Sequence, residues 1–234
     1  KRLRKVVTPM LDNIVTPLIT VLVTAILTFT VVGPVMRTVG DWMTAGVMYL
    51  FFDLGFVGGA IYGIVYPLLV ITGMHHSFVA IETQLLADIA TTGGSFIFPV
   101  AAMSNVAQGA AALSVLLILR KDNKMKGIAS ASGISALLGI TEPAIFGVNL
   151  KLRYPFFGAM IGSAVGSAYV MLTKVLAISP GAAGLPGIIS IRPTSIVNYI
   201  IAMILSMVVA VVSTIVIAKF MNKKQVVNDE QVAA

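Results

Sequence analysis

Long apolar runs separated by short polar breaks organise this chain. Asn13 to Met36 is a charge-free run of 24 residues, enough for a helix to cross a hydrocarbon core that takes roughly 20. Ile89 to Leu119 is a charge-free run of 31, and its apolar second half, from about Phe96, predicts another span. Tyr154 to Thr173 and Pro193 to Ala218 predict a third and a fourth. The stretches between them are also apolar, but Gly, Pro and isolated charges break them.

The cations fix a direction for these spans. Of 16 Lys and Arg, eleven fall in three clusters. These are Lys1, Arg2, Arg4 and Lys5; Arg120, Lys121, Lys124 and Lys126; and Lys219, Lys223 and Lys224. Each abuts a long apolar run, which is the pattern of cytoplasmic loops. With all three inside, the first span runs outward to Arg37 and the span from Phe96 runs inward to Arg120. An even number of crossings must then separate Arg37 from Phe96. Met43 to Thr72 supplies one, and the segment around His75 to Thr92 supplies the other or a re-entrant hairpin.

Gly127 to Leu150 has a different character. It is largely apolar and 24 residues long, yet cations flank it on both sides, with Lys151 and Arg153 at its end. Both flanks therefore lie on one side of the membrane, which predicts a re-entrant hairpin. Glu142-Pro143 and Gly133, Gly139 and Gly147 punctuate it. Irregular backbone at membrane depth persists only where protein or a water-filled cavity satisfies it, so the hairpin predicts a cavity. Lys174 to Arg192, carrying Pro180-Gly181, Gly184 and Pro186-Gly187, predicts an outer loop or partial insertion.

Three regions follow: a basic amphipathic lead-in over 1–12, a membrane domain over 13–220, and a polar tail over 221–234 expected to fray. The fold class is all-α, a polytopic helical membrane protein with re-entrant hairpins. No internal repeat and no cleavable signal peptide is apparent, and the start without Met predicts a piece of something longer.

Composition narrows the function classes. The 234 residues are 58% hydrophobic and 11% charged, with a mean hydropathy of +0.98. Twenty-five charged side chains cannot dress a soluble surface of this size, and so much apolar surface excludes disorder. The absence of Cys removes disulfides, thiolate nucleophiles and Cys-ligated metals. The net charge of +7 sits at span ends and so points to the lipid bilayer, not to nucleic acid.

Ionisable groups inside membrane segments are costly and mark function. Glu142 follows Thr141 and precedes Pro143, which lacks an N–H and biases its predecessor away from helix. A carboxylate on broken helix can accept hydrogen bonds from a polyol and serve as a general base; the structural alternative is a carboxylate paired to Arg or His. His75 and His76 follow Gly73. Neighbouring residues on an α-helix point about 100° apart, so one of the pair faces a given cavity. Without carboxylate or Cys at ligand spacing they make a poor metal site, and no metal or cofactor is expected. Asn105 and Gln108, three apart, share a helix face, either to bind ligand hydroxyls or to link helices. Gly158, Gly162 and Gly166 form a small-residue stripe for helix packing, and Trp42 suits an interface anchor. Asp53, Glu82 and Asp88 lie near enough to predicted ends to be merely solvated. No phosphate-binding G-x-x-x-x-G-K-[ST], G-x-G-x-x-G or H-E-x-x-H occurs.

Three segments carry a resemblance: Gly139-Ile-Thr-Glu-Pro-Ala-Ile-Phe-Gly147, Thr72-Gly-Met-His-His-Ser-Phe78, and the run GGSFIFPVAAMSNVAQG over 93–109. Together they resemble the membrane C domain of enzyme II of the bacterial phosphoenolpyruvate-dependent sugar phosphotransferase system. The branch is that of sucrose, trehalose and β-glucosides within the glucose superfamily, and the resemblance covers about Lys1 to Lys224. It implies a permease of the bacterial cytoplasmic membrane that takes up a sugar and phosphorylates it. The phosphoryl group would come from a phosphocysteine on a cytoplasmic B domain. Glu142 and His75 match the family's hairpin glutamate and substrate-contacting histidine. Thr141, His76, Asn105 and Gln108 join them as candidate substrate contacts.

The resemblance also implies departures. With no Cys, the B domain must lie elsewhere. The family's earlier membrane segments, which make most of a homodimer contact, also lie outside this chain, which alone is expected to be inactive. The glucose and maltose branch carries Arg eight residues before the histidine, where this chain has Pro67. That favours the sucrose side, with sucrose 6-phosphate as product. Trehalose or an aryl β-glucoside by the same mechanism is the nearest alternative. An ion-coupled secondary transporter using Glu142 as its proton site and a non-transporting scaffold are the rival classes.

Overall fold

The computed structural model describes residues 9–119 and 122–232. The first basic cluster, Arg120 and Lys121 fall outside them. The chain forms two compact units, residues 1–46 and 47–234.

In the first unit, α1 (Pro9–Leu27) passes through a π-helical turn at Thr28–Val32 into α2 (Gly33–Phe52). The expected span is there as Ile14–Val39. Helix α2 does not stop at Arg37 but runs on through Gly40 and Gly46 to Phe52, because neither one charged side chain nor an isolated Gly is enough to end a helix. Most apolar side chains here, among them Leu18, Val21, Ile26, Phe29 and Met36, are exposed, as a surface solvated by lipid tails would be. Trp42 is exposed as well.

The second unit is built around α6 (Ile97–Ile118), in which every residue from Ile97 to Ala112 is buried. A helix apolar on all sides is one that other helices surround. Packed on it are α3 (Gly55–Ile71), α10 (Tyr154–Leu172) and α11 (Ile196–Val232). Small residues let these helices approach. The Ser163 hydroxyl of α10 donates to the Gly63 carbonyl of α3 at 2.6 Å. The Ser206 hydroxyl of α11 reaches the Met103 carbonyl at 2.9 Å and the Gly162 carbonyl at 3.0 Å. A Cβ at Gly162 would sit 2.5 Å from the Ser206 carbonyl oxygen. The glycine stripe is thus the α10–α11 seam, the close-packing use that small residues have between membrane helices. The polar stretch after 221 continues α11 as far as Val232.

Among the described residues, four helical stretches are long and apolar enough to cross a membrane: Ile14–Val39, Ile97–Ile118, Tyr154–Leu172 and Pro193–Met221. A fifth is the pair Gly55–Ile71 and Met74–Ala87, which turns through 111° at a short break. Helix α3 starts at Gly55, not at Met43, because the chain breaks at Asp53-Leu54 after α2. Beyond the break come a 3-10 turn at Met74–Ser77, then α4 (Phe78–Ala87) and α5 (Ile89–Thr92).

The segment after α6 is a hairpin. Its outgoing arm, α7 (Asn123–Leu137), is capped by Asp122, whose carboxylate accepts from the Met125 N–H at 2.9 Å. The return arm runs through α8 (Glu142–Ala144), a π-helical turn (Ile145–Asn149) and α9 (Leu150–Leu152). Met125 and Ala136 of one arm share a cluster with Ala144, Val148 and Leu152 of the other, together with Leu119 and Ala218. That packing gathers the flanking Lys124, Lys126, Lys151, Arg153 and Lys219 at one end, as a hairpin entering and leaving on one side requires. The stretch 174–192 is a loop without regular strand, in which Ala177 bridges to Ser95 and to Ile191.

Candidate functional site

Two interruptions in helical backbone carry the site. The first is the bend after α3. Gly73 takes φ of +75°, a left-handed value that a side chain resists, and so redirects the chain into the tight turn that holds His75 and His76. Neighbouring positions on a 3-10 turn point about a third of a turn apart, yet the two imidazoles lie side by side. Their centroids are 4.0 Å apart and their planes 36°. His75 is half-buried and His76 exposed. The His75 ring lies edge-on to Tyr66, with centroids 6.4 Å apart.

The second interruption is the hairpin tip, Leu138–Thr141. Gly139 takes φ of +103° and reverses the chain, and Thr141 behind it is buried. Glu142 is exposed and opens the first turn of the return arm, followed by Pro143 where its missing N–H costs nothing. The tip rests on the outer loop: a Cβ at Gly184 would lie 2.5 Å from the Leu137 carbonyl and 2.8 Å from the Gly139 nitrogen. Between the arms, Ile128, Ala131, Ser132, Ser135, Pro143 and Gly147 line a cavity of about 550 Å³.

The charge of Glu142 is felt at both His75 and Tyr66, so a carboxylate, an imidazole and a phenol from separate segments lie within electrostatic reach of one another. Thr141 sits in the chain beside Glu142. Asn105 and Gln108 do face one way, as their spacing predicts, and their bonds go to protein. The Asn105 side-chain amide donates to the Ala183 carbonyl of the loop under the tip at 2.6 Å. Gln108, fully buried, accepts from Asn149 of the return arm at 2.6 Å. Gln108 therefore holds the hairpin, and Asn105 holds the loop beneath its tip.

Glu82 was not singled out by sequence. It is half-buried on α4, and its charge is felt at Tyr62 and Tyr66. A carboxylate near a predicted helix end looks the same whether it meets water or the edge of a site, so only the tertiary contact reveals it.

The model of the family described as "Phosphotransferase system, EIIC" matches residues 1–164. The chain belongs to the phosphotransferase-system EIIC family. It is 59% identical over 215 residues to the sucrose-specific EIIBC component of Vibrio alginolyticus, covering 92% of this chain and 45% of that protein. It is 56% identical over 207 residues to the sucrose-specific EIIBC component of Staphylococcus xylosus, covering 88% and 43%. The trehalose-specific EIIBC component of Bacillus subtilis (strain 168) is 44% identical over 195 residues, covering 83% and 41%. No solved structure matches significantly. The EIIC chain thus spans less than half the length of the curated relatives it matches. It is an integral protein of the bacterial inner membrane.

Proposed function

We propose that this EIIC chain is the sugar-translocating part of a sucrose-specific enzyme II, which takes up sucrose and releases sucrose 6-phosphate inside the cell. The observation that carries the proposal is the convergence of Glu142, from a re-entrant tip, with His75, from a broken helix. Relatives named sucrose-specific at 56% and 59% identity, against 44% for one named trehalose-specific, favour sucrose over trehalose or a β-glucoside. The EIIBC and EIIBCA names of relatives support a B domain as phosphoryl donor, and the pairing of two full-length copies is proposed on the family resemblance alone.

The chemistry follows from the groups present. Phosphoryl transfer asks the protein mainly for positioning and charge stabilisation. The Glu142 carboxylate accepts the proton of the attacking sugar hydroxyl as its oxygen bonds to phosphorus. The S–P bond of the donor phosphocysteine breaks, and the thiolate leaves with the electron pair. His75 hydrogen-bonds a neighbouring hydroxyl and holds the ring against Tyr66, while His76, Thr141, Asn105 and Gln108 complete or support the lining. A carboxylate at the tip of an inserted hairpin reaches a sugar at membrane depth, while the cation-flanked ends of the hairpin face the side of the cytoplasmic donor.

The test is sugar phosphorylation in membrane vesicles containing the full-length protein, the general phosphotransferase components and phosphoenolpyruvate, with labelled sucrose, trehalose and salicin. Phosphorylated sucrose as the dominant product is the expected result. Another sugar in its place transfers the mechanism to that substrate. Uptake driven by a proton gradient, with no sugar phosphorylated, replaces it with secondary transport.

A further inference from the structure

Tyr66 lies within electrostatic reach of two carboxylates, Glu142 from the hairpin tip and Glu82 from α4. Its ring meets His75 edge-on at 6.4 Å and Tyr62 edge-on at 5.7 Å. Tyr62 in turn meets Phe78 at 5.8 Å. The aromatic wall is therefore continuous from α3 across the bend into α4. Three polar atoms along it are buried and have no partner among the described residues: the Tyr62 hydroxyl, His75 Nδ1 and Glu82 Oε1. Tyr62 is only 2% exposed, so bulk solvent does not meet its hydroxyl.

Buried polar atoms in folded proteins are nearly always paired, and each exception needs a reason. Of the seven such atoms among the described residues, these three lie along one wall and supply a carboxylate acceptor, a hydroxyl and a ring nitrogen. A sugar hydroxyl, one donor with two lone pairs, matches that mixture, and an aromatic wall with a few convergent polar groups is what small-molecule sites present.

We propose that Glu82 is a sugar-binding residue of this site, accepting through Oε1 a hydrogen bond from a substrate hydroxyl other than the one Glu142 deprotonates, with Tyr62 and Tyr66 as the wall beside it. The inference rests on the sugar-phosphorylating reading above and adds to it a second carboxylate that sets which hydroxyl pattern is accepted. Discrimination of this kind is steep, because a site built to pair a hydroxyl rejects the analogue that lacks it.

The experiment uses the full-length protein in vesicles with the phosphoryl donor system, comparing sucrose with its monodeoxy analogues in the unaltered protein, Glu82→Ala and Glu82→Gln. The unaltered protein is expected to reject one analogue, besides that lacking the phosphorylated hydroxyl, by about tenfold to a hundredfold in kcat/KM, the range of a charged hydrogen bond. Glu82→Ala should raise KM for sucrose by a similar factor and abolish the preference against that one analogue. Glu82→Gln, which keeps the shape and a weaker acceptor, should fall between them, and it decides the matter if Glu82→Ala does not accumulate. The inference is overturned if the variants keep KM and the analogue pattern within about twofold. It is equally overturned if they lose activity on every analogue alike, or if neither accumulates as folded protein, since those are marks of a structural role. Failure of the unaltered protein to phosphorylate any sugar overturns the proposed function itself and this inference with it.

Discussion

The side-chain amide of Asn149 donates to Gln108 twice, at 2.6 Å to the side-chain oxygen and at 3.0 Å to the backbone carbonyl. This ties the last residue of the π-helical turn in the hairpin to the central helix. Both side chains are fully buried, and π-bulges of this kind recur at functional sites. Removing one partner leaves the other unsatisfied, which costs about 1–3 kcal/mol. Asn149→Ala should lower the thermal midpoint of the detergent-solubilised full-length protein by roughly 2–10 °C, at a few degrees per kcal/mol. A midpoint unchanged on Asn149→Ala would mean that the bond pair does not hold the hairpin.

Gly184 tests the seat of the hairpin tip. A Cβ there would meet the Leu137 carbonyl at 2.5 Å and the Gly139 nitrogen at 2.8 Å. Both contacts are backbone, so the tip must shift and not merely a side chain. Glu142 rides on that tip, and a misplacement of about 1 Å can cost a hundredfold in rate. Gly184→Ala should therefore reduce sugar phosphorylation at least tenfold, roughly in that range, while protein abundance in the membrane falls much less. Equal loss of abundance and activity would place the effect in folding instead.

How much of this was legible in the sequence depends on the kind of signal. Charge-free runs over Phe96–Leu119 and Tyr154–Thr173 match α6 and α10 to within a residue or two, because the hydrocarbon core imposes length and apolarity directly. Cationic flanks around a Gly- and Pro-broken segment were enough to predict the hairpin over 127–150, since only a reversal returns both ends to one side. The course of α2 past Arg37 was not legible, because a single cation marks a boundary without breaking a helix. The side-by-side His75 and His76 rings depend on one left-handed glycine, a backbone event that hydropathy does not carry. The shared face of Asn105 and Gln108 followed from their spacing, but their partners, Ala183 and Asn149, lie 78 and 41 residues away.

The α10–α11 seam gives a third test. A Cβ at Gly162 would lie 2.5 Å from the Ser206 carbonyl oxygen and 2.6 Å from the Ala210 Cβ, and Ser206 also holds the Met103 carbonyl of α6. Without a hydrophobic drive between helices in lipid, close van der Waals packing and hydrogen bonds supply the association. Gly162→Leu should strip the full-length protein of most of its folded yield, whereas Ile161→Leu on the exposed face of the same helix should leave it unchanged. Comparable yields from the two variants would mean that the seam tolerates separation.

Glu142 and His75 should separate chemistry from binding. Glu142 is exposed and packs little, so Glu142→Gln should leave the yield of folded full-length protein unaltered. As the group that takes the proton of the attacking hydroxyl, its loss should cost about 10²–10⁴ in kcat. His75→Gln removes one hydrogen bond to a neighbouring hydroxyl and the edge contact with Tyr66, which should appear mainly in KM. The split is read from vesicle phosphorylation of sucrose at saturating and limiting sugar, with direct sugar binding measured in parallel. Glu142→Gln should still bind sucrose while failing to phosphorylate it. If instead its kcat survives and only KM rises, Glu142 is a binding residue, and the proton of the attacking hydroxyl goes to another group.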